Sequence, residues 1–344
     1  MKPTVEAMLC ASGTEKDLDN PNNVSETKWD GTRIWAGKYE GEPFVLNREN
    51  VDYTTRLTEV VTALDFIPSE DVIFDGEAVV FDANGRTNFK GSQSRCSTTN
   101  LMKQKLAKLK YPIIMQSFDL IRLDGKDLRN QQWQSRNALL RDLLEESLQE
   151  TVRLTVSHYE DKRQHFDEAV ALGEEGVIVK DIHSVYVGKE SKSWRKVKHW
   201  NPERCIVVGY TEGTGRREEF FGSLILARAD DQGHLKYCGK VGTGFNDAEL
   251  RKITGILRDG EIENDPVDAR DSNDKRIDYT PVSVDLEVTI KFYESSERGV
   301  FRFPSMLKDE NGRSMIHYGR SIMATPGPKQ ADLKTLLDSL TRGG

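Results

Sequence analysis

ETKWDGTR, residues 26–33, sets a lysine, two carboxylates and an arginine close together in the chain. If the segment is extended, alternate side chains share a face, so Lys28 and Asp30 point the same way, and Gly31 permits a tight turn before Arg33. A lysine amine becomes nucleophilic when neighbouring positive charge or desolvation favours its neutral form. Arg33 is the nearest such charge and suits a phosphate as well. Three further segments extend the pattern. FDGEAVVFD (74–82) puts Asp75 and Glu77 on one strand face, where a carboxylate can accept from a ribose or hold a divalent ion. EEGVIVKD (174–181) has Glu175 near the start of an apolar strand and Lys180 near its end. SWRKVKHW (193–200) puts Lys196 and Lys198 on one side and Arg195 and Val197 on the other. Two like charges held side by side call for an anion such as a triphosphate, with nearby carboxylates holding magnesium against it.

The whole chain is consistent with such a site. Its 344 residues are 37% hydrophobic and 31% charged, enough for two or three domains with cores of their own. Mean hydropathy is −0.60. No apolar run approaches the roughly 20 residues of a membrane span, and the first residues lack the apolar core of a secretory leader, so a cytoplasmic location is expected. Cys10, Cys96, Cys205 and Cys238 are far apart in sequence, which argues against a zinc site or a disulfide framework. Net charge is −7, but it is segregated. From Asn84 to Tyr111 the bases Arg86, Lys90, Arg95, Lys103, Lys105, Lys108 and Lys110 occur without an acid, whereas residues 259–278 are strongly acidic.

The first two hundred residues read as mixed strand and helix. GEPFVLNR, DVIFDGEAVVFD, YPIIMQSFDLIRL and EEGVIVKD are short apolar stretches bounded by turn residues, and SRNALLRDLLEESL is an amphipathic helix. NLMKQKLAKLKY (100–111) is a second helix, whose Leu101, Met102, Leu106 and Leu109 are expected to pack on the protein and leave the lysines outward. After residue 200 the texture becomes that of a small β barrel or sandwich, with RCIVVGYTEG, FGSLILARAD, HLKYCGKVGTGF and VDLEVTIKFYE as strands and DAELRKITGILRDG as a helix.

In order, KWDGTR, NR (47–48), FDGE, SFDLIRLDG, EEGVIVK and WRKVK, then IVVGYTEGTGR, FGSLILA, YCGKVGTGF, LEVTIKFYE and FRFPS, resemble the lysine-dependent nucleotidyltransferase superfamily. The resemblance covers most of residues 5–306 and is strongest to compact bacterial ATP-dependent DNA ligases. It implies an α+β nucleotidyltransferase (adenylation) domain over residues 1–200, an all-β OB-fold domain over 201–325, and a linker with a short helix over 326–344. It further implies that Lys28 is the nucleophile receiving AMP and that Glu26 recognises adenine. Phe118 would stack on adenine, and Arg33, Arg48 and Glu77 would surround ribose and phosphate. Lys180, Lys196 and Lys198 would form the cationic end of the pocket, and Glu175, with Asp30 and Glu77, would hold the metal. ATP and Mg2+, with Mn2+ as substitute, are the implied cofactors, and nicked duplex DNA the partner of a monomer working beside repair proteins. Arg86, Lys90, Arg95, Lys103, Lys105 and Lys108 are the expected DNA-facing cations. An RNA ligase would share the nucleotide chemistry, as would a GTP-using RNA-capping transferase, and an inactive nucleic-acid-binding relative is the non-enzymatic alternative. Two departures stand out. NREN (47–50) keeps Arg48 but lacks the glycine that usually ends this turn. FRFPSMLKDENGR (301–313) lacks a clear arginine-x-aspartate-lysine motif, leaving Arg302, Lys308 or Arg313 to supply its charge.

Overall fold

The computed structural model describes residues 2–147, 150–271, 274–296 and 298–319. The linker and helix expected over 326–344 lie outside them. The chain divides into two compact units between His199 and Trp200.

The first unit runs β1 (Leu9–Ser12), β2 (Asn23–Thr27), β3 (Thr32–Tyr39), β4 (Glu42–Asn47), α1 (Thr58–Leu64), β5 (Val72–Val79), α2 (Phe89–Ser97) and α3 (Leu101–Lys110). It continues through β6 (Ile114–Leu123), β7 (Lys126–Asp127), α4 (Trp133–Ser147), β8 (Val152–Leu154), β9 (Ser157–His158), α5 (Lys162–Ala171), β10 (Gly176–Asp181) and β11 (Glu190–Lys198). These strands make two sheets, ordered β1-β11-β10-β2-β9 and β4-β3-β5-β6-β7, with β8 parallel to β6. An apolar layer joins them: Val24 and Trp194 come from the first sheet, and Trp35, Phe44, Ile73 and Ile121 from the second. The outer face of the second sheet packs Ile34, Ala36 and Phe74 on residues of α1 and α4 such as Val60 and Leu140. The outer face of the first packs Val177, Val179 and Val197 against Phe166 and Ala169 of α5.

This layering fixes which side chains face inward, because strand side chains alternate. In β2, Ser25 and Thr27 bind His165 of α5, so Val24 and Glu26 turn to the other side. In β11, Val197 packs outward, leaving Lys196 and Lys198 on the inner side. In β5, Phe74 and Ala78 pack outward, which sends Asp75 and Glu77 inward. Gly31 lies at a bend directly before β3, as expected, and serves the sheet as well. A Cβ there would lie 2.4 Å from the Ala78 carbonyl, so glycine permits the close approach of this segment to β5.

The second unit comprises β12 (Asn201–Glu212), β13 (Phe221–Ala229), β14 (Leu235–Val241), α6 (Asp247–Asp259), β15 (Thr280–Pro281), β16 (Leu286–Phe292), β17 (Ser305–Met306) and β18 (Ile316–Tyr318). The sheet runs β14-β13-β12-β16-β17, with β15 on β12 and β18 on β16, and every pairing is antiparallel. Its core gathers Val207, Phe221, Leu224, Leu226, Val288 and Ile290, closed by Leu250, Ile253 and Leu257 from one face of α6. A reciprocal cap begins that helix: Asn246 Oδ1 accepts from the Glu249 amide and Glu249 Oε2 from the Asn246 amide, each at 2.9 Å.

Candidate active site

β2 ends at Thr27, and Lys28 continues its line by donating its backbone N–H to the Gly176 carbonyl at 3.0 Å. That pairing brings Lys28 alongside the start of β10, where Glu175 lies. Lys28 Nζ stands 2.6 Å from Glu175 Oε2, and Lys198 Nζ stands 2.9 Å from the same oxygen. Burial pulls the Lys28 ammonium down, but the Glu175 carboxylate, with Glu77 and Asp30 behind it, outweighs burial and raises its pKa. The expectation that Arg33 would favour the neutral amine is therefore corrected. The charges acting on Lys28 are carboxylates, and the resting lysine is protonated. Glu175 feels the converse: burial opposes its charge, yet Lys28 and Lys198 hold its pKa down.

Arg33 is engaged elsewhere. Its Nε and Nη2 donate to the two oxygens of fully buried Asp75 at 2.9 and 2.6 Å, and Nη1 donates to the Met8 carbonyl at 2.7 Å. The Tyr186 hydroxyl donates to Asp75 at 2.7 Å, completing the clamp. No sequence pattern near Tyr186 signals this partnership, since it lies far from Arg33 along the chain. Glu77, on the same face of β5, is pushed up to about 8, chiefly by burial, with Lys28 and Arg33 opposing the rise.

Lys180, expected at the cationic end of the pocket, is engaged by partners of its own. It is buried, donates to Glu26 at 2.7 Å and to the Phe118 carbonyl at 2.8 Å, and lies over the rings of Trp194 (4.3 Å), Phe118 (4.8 Å) and Trp133 (5.6 Å). Parity sets Lys180 on the same inner face as Lys196 and Lys198, but its place along β10, paired with Val24 and Trp194, carries it into the layer between the sheets. Glu26 also accepts from the Ser157 hydroxyl at 3.0 Å. The half-buried Phe118 ring meets Trp194 edge-on at 6.1 Å, with the Arg33 guanidinium 5.4 Å from its centroid. Lys196 shares the inner face of β11 with Lys198 and acts electrostatically on Cys10 of β1.

Arg48 is exposed beyond the end of β4, 3.3 Å from Glu49. The missing glycine of its turn is supplied by Asn50 at φ 60°, a left-handed conformation asparagine tolerates better than most residues. Asn50 is also pinned to the Val5 amide and carbonyl. Of the candidates for the divergent motif in the second unit, Arg302 pairs with Glu294 at 3.0 Å and Arg313 with Asp309 at 3.0 Å, whereas Lys308 is exposed.

The basic run divides. Arg95 is corrected as a DNA-facing cation: it is 1% exposed and donates to the carbonyls of Tyr111 and Arg56 and to Glu59. Lys108 donates to Thr58 at 3.0 Å beside Glu59. Arg86 packs over Gly173, while Lys90, Lys103 and Lys105 are exposed. The apolar residues of α3 also overturn expectation. Leu101, Met102, Leu106 and Leu109 are all exposed, and the helix turns Gln104 to the protein instead.

Among the described residues no three His, Cys, Asp or Glu side chains converge as an ion cage. Glu175, Glu77 and Asp30 are instead separate carboxylates around Lys28. This donor set fits magnesium, which is commonly held by one or two carboxylates together with water and substrate phosphates. Glu77, half-buried with Lys28 and Arg33 acting on it, fits the same role.

A half-buried lysine on a carboxylate, cations beside it and an aromatic wall between two sheets define a nucleotide-handling unit, here followed by a β unit. Residues 7–198 match the family model described as "ATP dependent DNA ligase domain", and residues 217–309 match "ATP dependent DNA ligase C terminal region". The chain belongs to the ATP-dependent DNA ligase family. Its architecture is that family's α+β catalytic domain followed by an OB-fold domain. The multifunctional non-homologous end joining protein LigD of Pseudomonas aeruginosa is 33% identical over 244 residues, which are 70% of this chain and 28% of that protein. A DNA ligase of Thermococcus onnurineus is 31% identical over 241 residues, 68% of this chain and 42% of its own. The chain thus spans about a third of the length of the LigD relatives it matches. A structure of mycobacterial DNA ligase D complexed with ATP and MES aligns at TM-score 0.52 and 26% identity, covering 93% of this chain and 97% of that one. A Lig E DNA ligase shares the fold at TM-score 0.59 and 20% identity, with 89% of this chain and 99% of that one covered.

Proposed function

We propose that this chain seals 5'-phosphate/3'-hydroxyl nicks in duplex DNA at the expense of ATP. Lys28 Nζ, once deprotonated, forms a P–N bond to the α-phosphorus of ATP as the bond to the β-phosphate oxygen breaks and pyrophosphate leaves. An oxygen of the DNA 5'-phosphate then attacks that phosphorus, and the P–N bond breaks, returning the amine. The adjacent 3'-hydroxyl finally attacks the DNA phosphorus, closing the backbone and expelling AMP.

The observation that carries this reading is Lys28 Nζ at 2.6 Å from Glu175, with Lys198 on the same oxygen. Glu175 keeps the resting amine protonated and aimed. When the charge of Glu175, and with it that of Glu77 and Asp30, is drawn off, burial remains and favours the neutral nucleophile. Lys198 and Lys196 are then the cations nearest the transferring phosphate. Through Arg33, the Asp75–Tyr186 clamp holds a guanidinium at a fixed position beside Phe118. Lys180 acts through Glu26 and the Phe118 carbonyl, fixing the carboxylate and ring assigned to adenine rather than touching phosphate. Glu175, with Glu77 and Asp30, would hold magnesium, or manganese in its place, and the bound cation would offset charge on the phosphate oxygens.

Backbone sealing needs no base reading, so phosphate contacts and duplex shape carry recognition. Among the described residues no helix is long and apolar enough to cross a membrane. A monomer in the cytoplasm, assisted by repair proteins, completes the proposal. Its test is a fluorescent nicked duplex incubated with protein, ATP and Mg2+, in parallel with a nicked RNA duplex. DNA product that requires ATP is the expected result. Sealing of the RNA alone would move the assignment to an RNA ligase.

A further inference from the structure

Helix α3 has its hydrophobic side on the outside. At about 100° per residue, Leu101, Leu109, Met102 and Leu106 occupy one arc about 140° wide, and they are 69, 84, 70 and 68% exposed. Gln104, on the opposite side, is buried and donates to the Thr98 carbonyl at 2.9 Å, anchoring the helix by a polar contact. Asn100 caps the start through the Met102 and Lys103 amides, so the element is well begun without any apolar anchor. Lys108 borders the arc on one side and Lys103 and Lys110 on the other, while Lys105 projects from within it, between Leu101 and Leu109. An apolar face rimmed by charge is the form of a protein-docking surface.

We propose that α3 docks a partner protein through an apolar helical face bordered by Asp and Glu. Three observations select that occupant. Lys103, Lys105, Lys108 and Lys110 are exposed on α3, which carries no acid, so the complementary rim is anionic. A second copy of α3 would bring lysine rims against lysine rims. DNA suits the arc poorly: a helix of about 10–12 Å diameter exceeds the roughly 6 Å minor groove, and in the major groove three leucines and a methionine would leave most base-edge donors and acceptors unpaired. The proposal concerns a face apart from the Lys28 site and does not depend on the catalytic reading.

The test uses the full chain and three labelled probes. These are a synthetic amphipathic helix with leucine at a and d and glutamate at e and g, the same peptide with lysine at e and g, and a nicked duplex. Fluorescence anisotropy should show binding of the glutamate peptide and not of the lysine peptide. Leu106→Gln with Leu109→Gln, and separately Lys105→Gln with Lys110→Gln, should each weaken that binding at least about tenfold, the loss expected when a buried leucine is removed from an interface. Thermal unfolding should be unchanged in the leucine variant, since both side chains already face water; a lowered midpoint would mean the arc is packed and overturn the proposal. Equal binding of both peptides, or binding indifferent to the leucines, would also overturn it. So would a leucine variant that loses affinity for the nicked duplex alone, which would make DNA the occupant, or one that dissolves a parent dimer, which would make it a second copy.

Discussion

His165 shows how a single side chain ties the site to pH. Both ring nitrogens meet hydroxyls on β2, Ser25 at 2.9 Å and Thr27 at 3.1 Å, and the ring stacks on His158 at 3.8 Å. Burial, reinforced by His158, lowers its pKa from 6.5 to about 4. Because the folded state resists protonation, the neutral ring contributes stability that is full above pH 6.5 and is lost as pH falls toward 4. The loss is on the order of 3 kcal/mol, so the parent should lose more stability than His165→Gln between those pH values in urea unfolding. Parallel curves would remove His165 from the account. Arg95 gives a second test at this scale. Arg95→Met strands Glu59 without its guanidinium and should cost about 3–5 kcal/mol in thermal unfolding, while the salt dependence of DNA binding stays as in the parent. A reduced salt slope in a stable variant would restore Arg95 as a phosphate contact.

Strands were the legible elements, and glycine roles were only partly so. Alternation in FDGE and WRKVK correctly grouped Asp75 with Glu77 and Lys196 with Lys198, because β3 pairs with β5, and β10 with β11, without a bulge through those residues. Lys180 obeys the same alternation, but which face closes against a second sheet is a long-range fact, and that face buried it. Helix α3 misled for a related reason: periodicity shows that apolar residues share a side and not that the side meets the protein. Gly176 carries a prediction of its own. At φ 129°, with a Cβ that would lie 2.2 Å from the Val197 carbonyl, it lets β10 approach β11 directly after Glu175. Gly176→Ala should lose about 1–3 kcal/mol and reduce self-adenylation. Gly255→Ala, within α6 where an added Cβ meets nothing within 4 Å, should gain up to about 1 kcal/mol. Matched melting curves check both, and a neutral Gly176 variant would contradict the close-approach argument.

For the whole molecule, the order of short segments along the chain carried the family and the two-part architecture, whereas side-chain partnerships across the first unit were invisible until it folded. The Arg33–Asp75–Tyr186 clamp joins residues from three separate regions, and no local pattern encodes such a meeting. The account still rests on one bond, that between Lys28 Nζ and the α-phosphorus of ATP. Intact-mass measurement of the full chain after incubation with ATP and Mg2+, followed by peptide mapping, reads that bond directly. The account predicts a single added AMP on Lys28, absent in Lys28→Ala and much reduced in folded Glu175→Gln. AMP attached to another residue, or an undiminished adduct in Lys28→Ala, would contradict it.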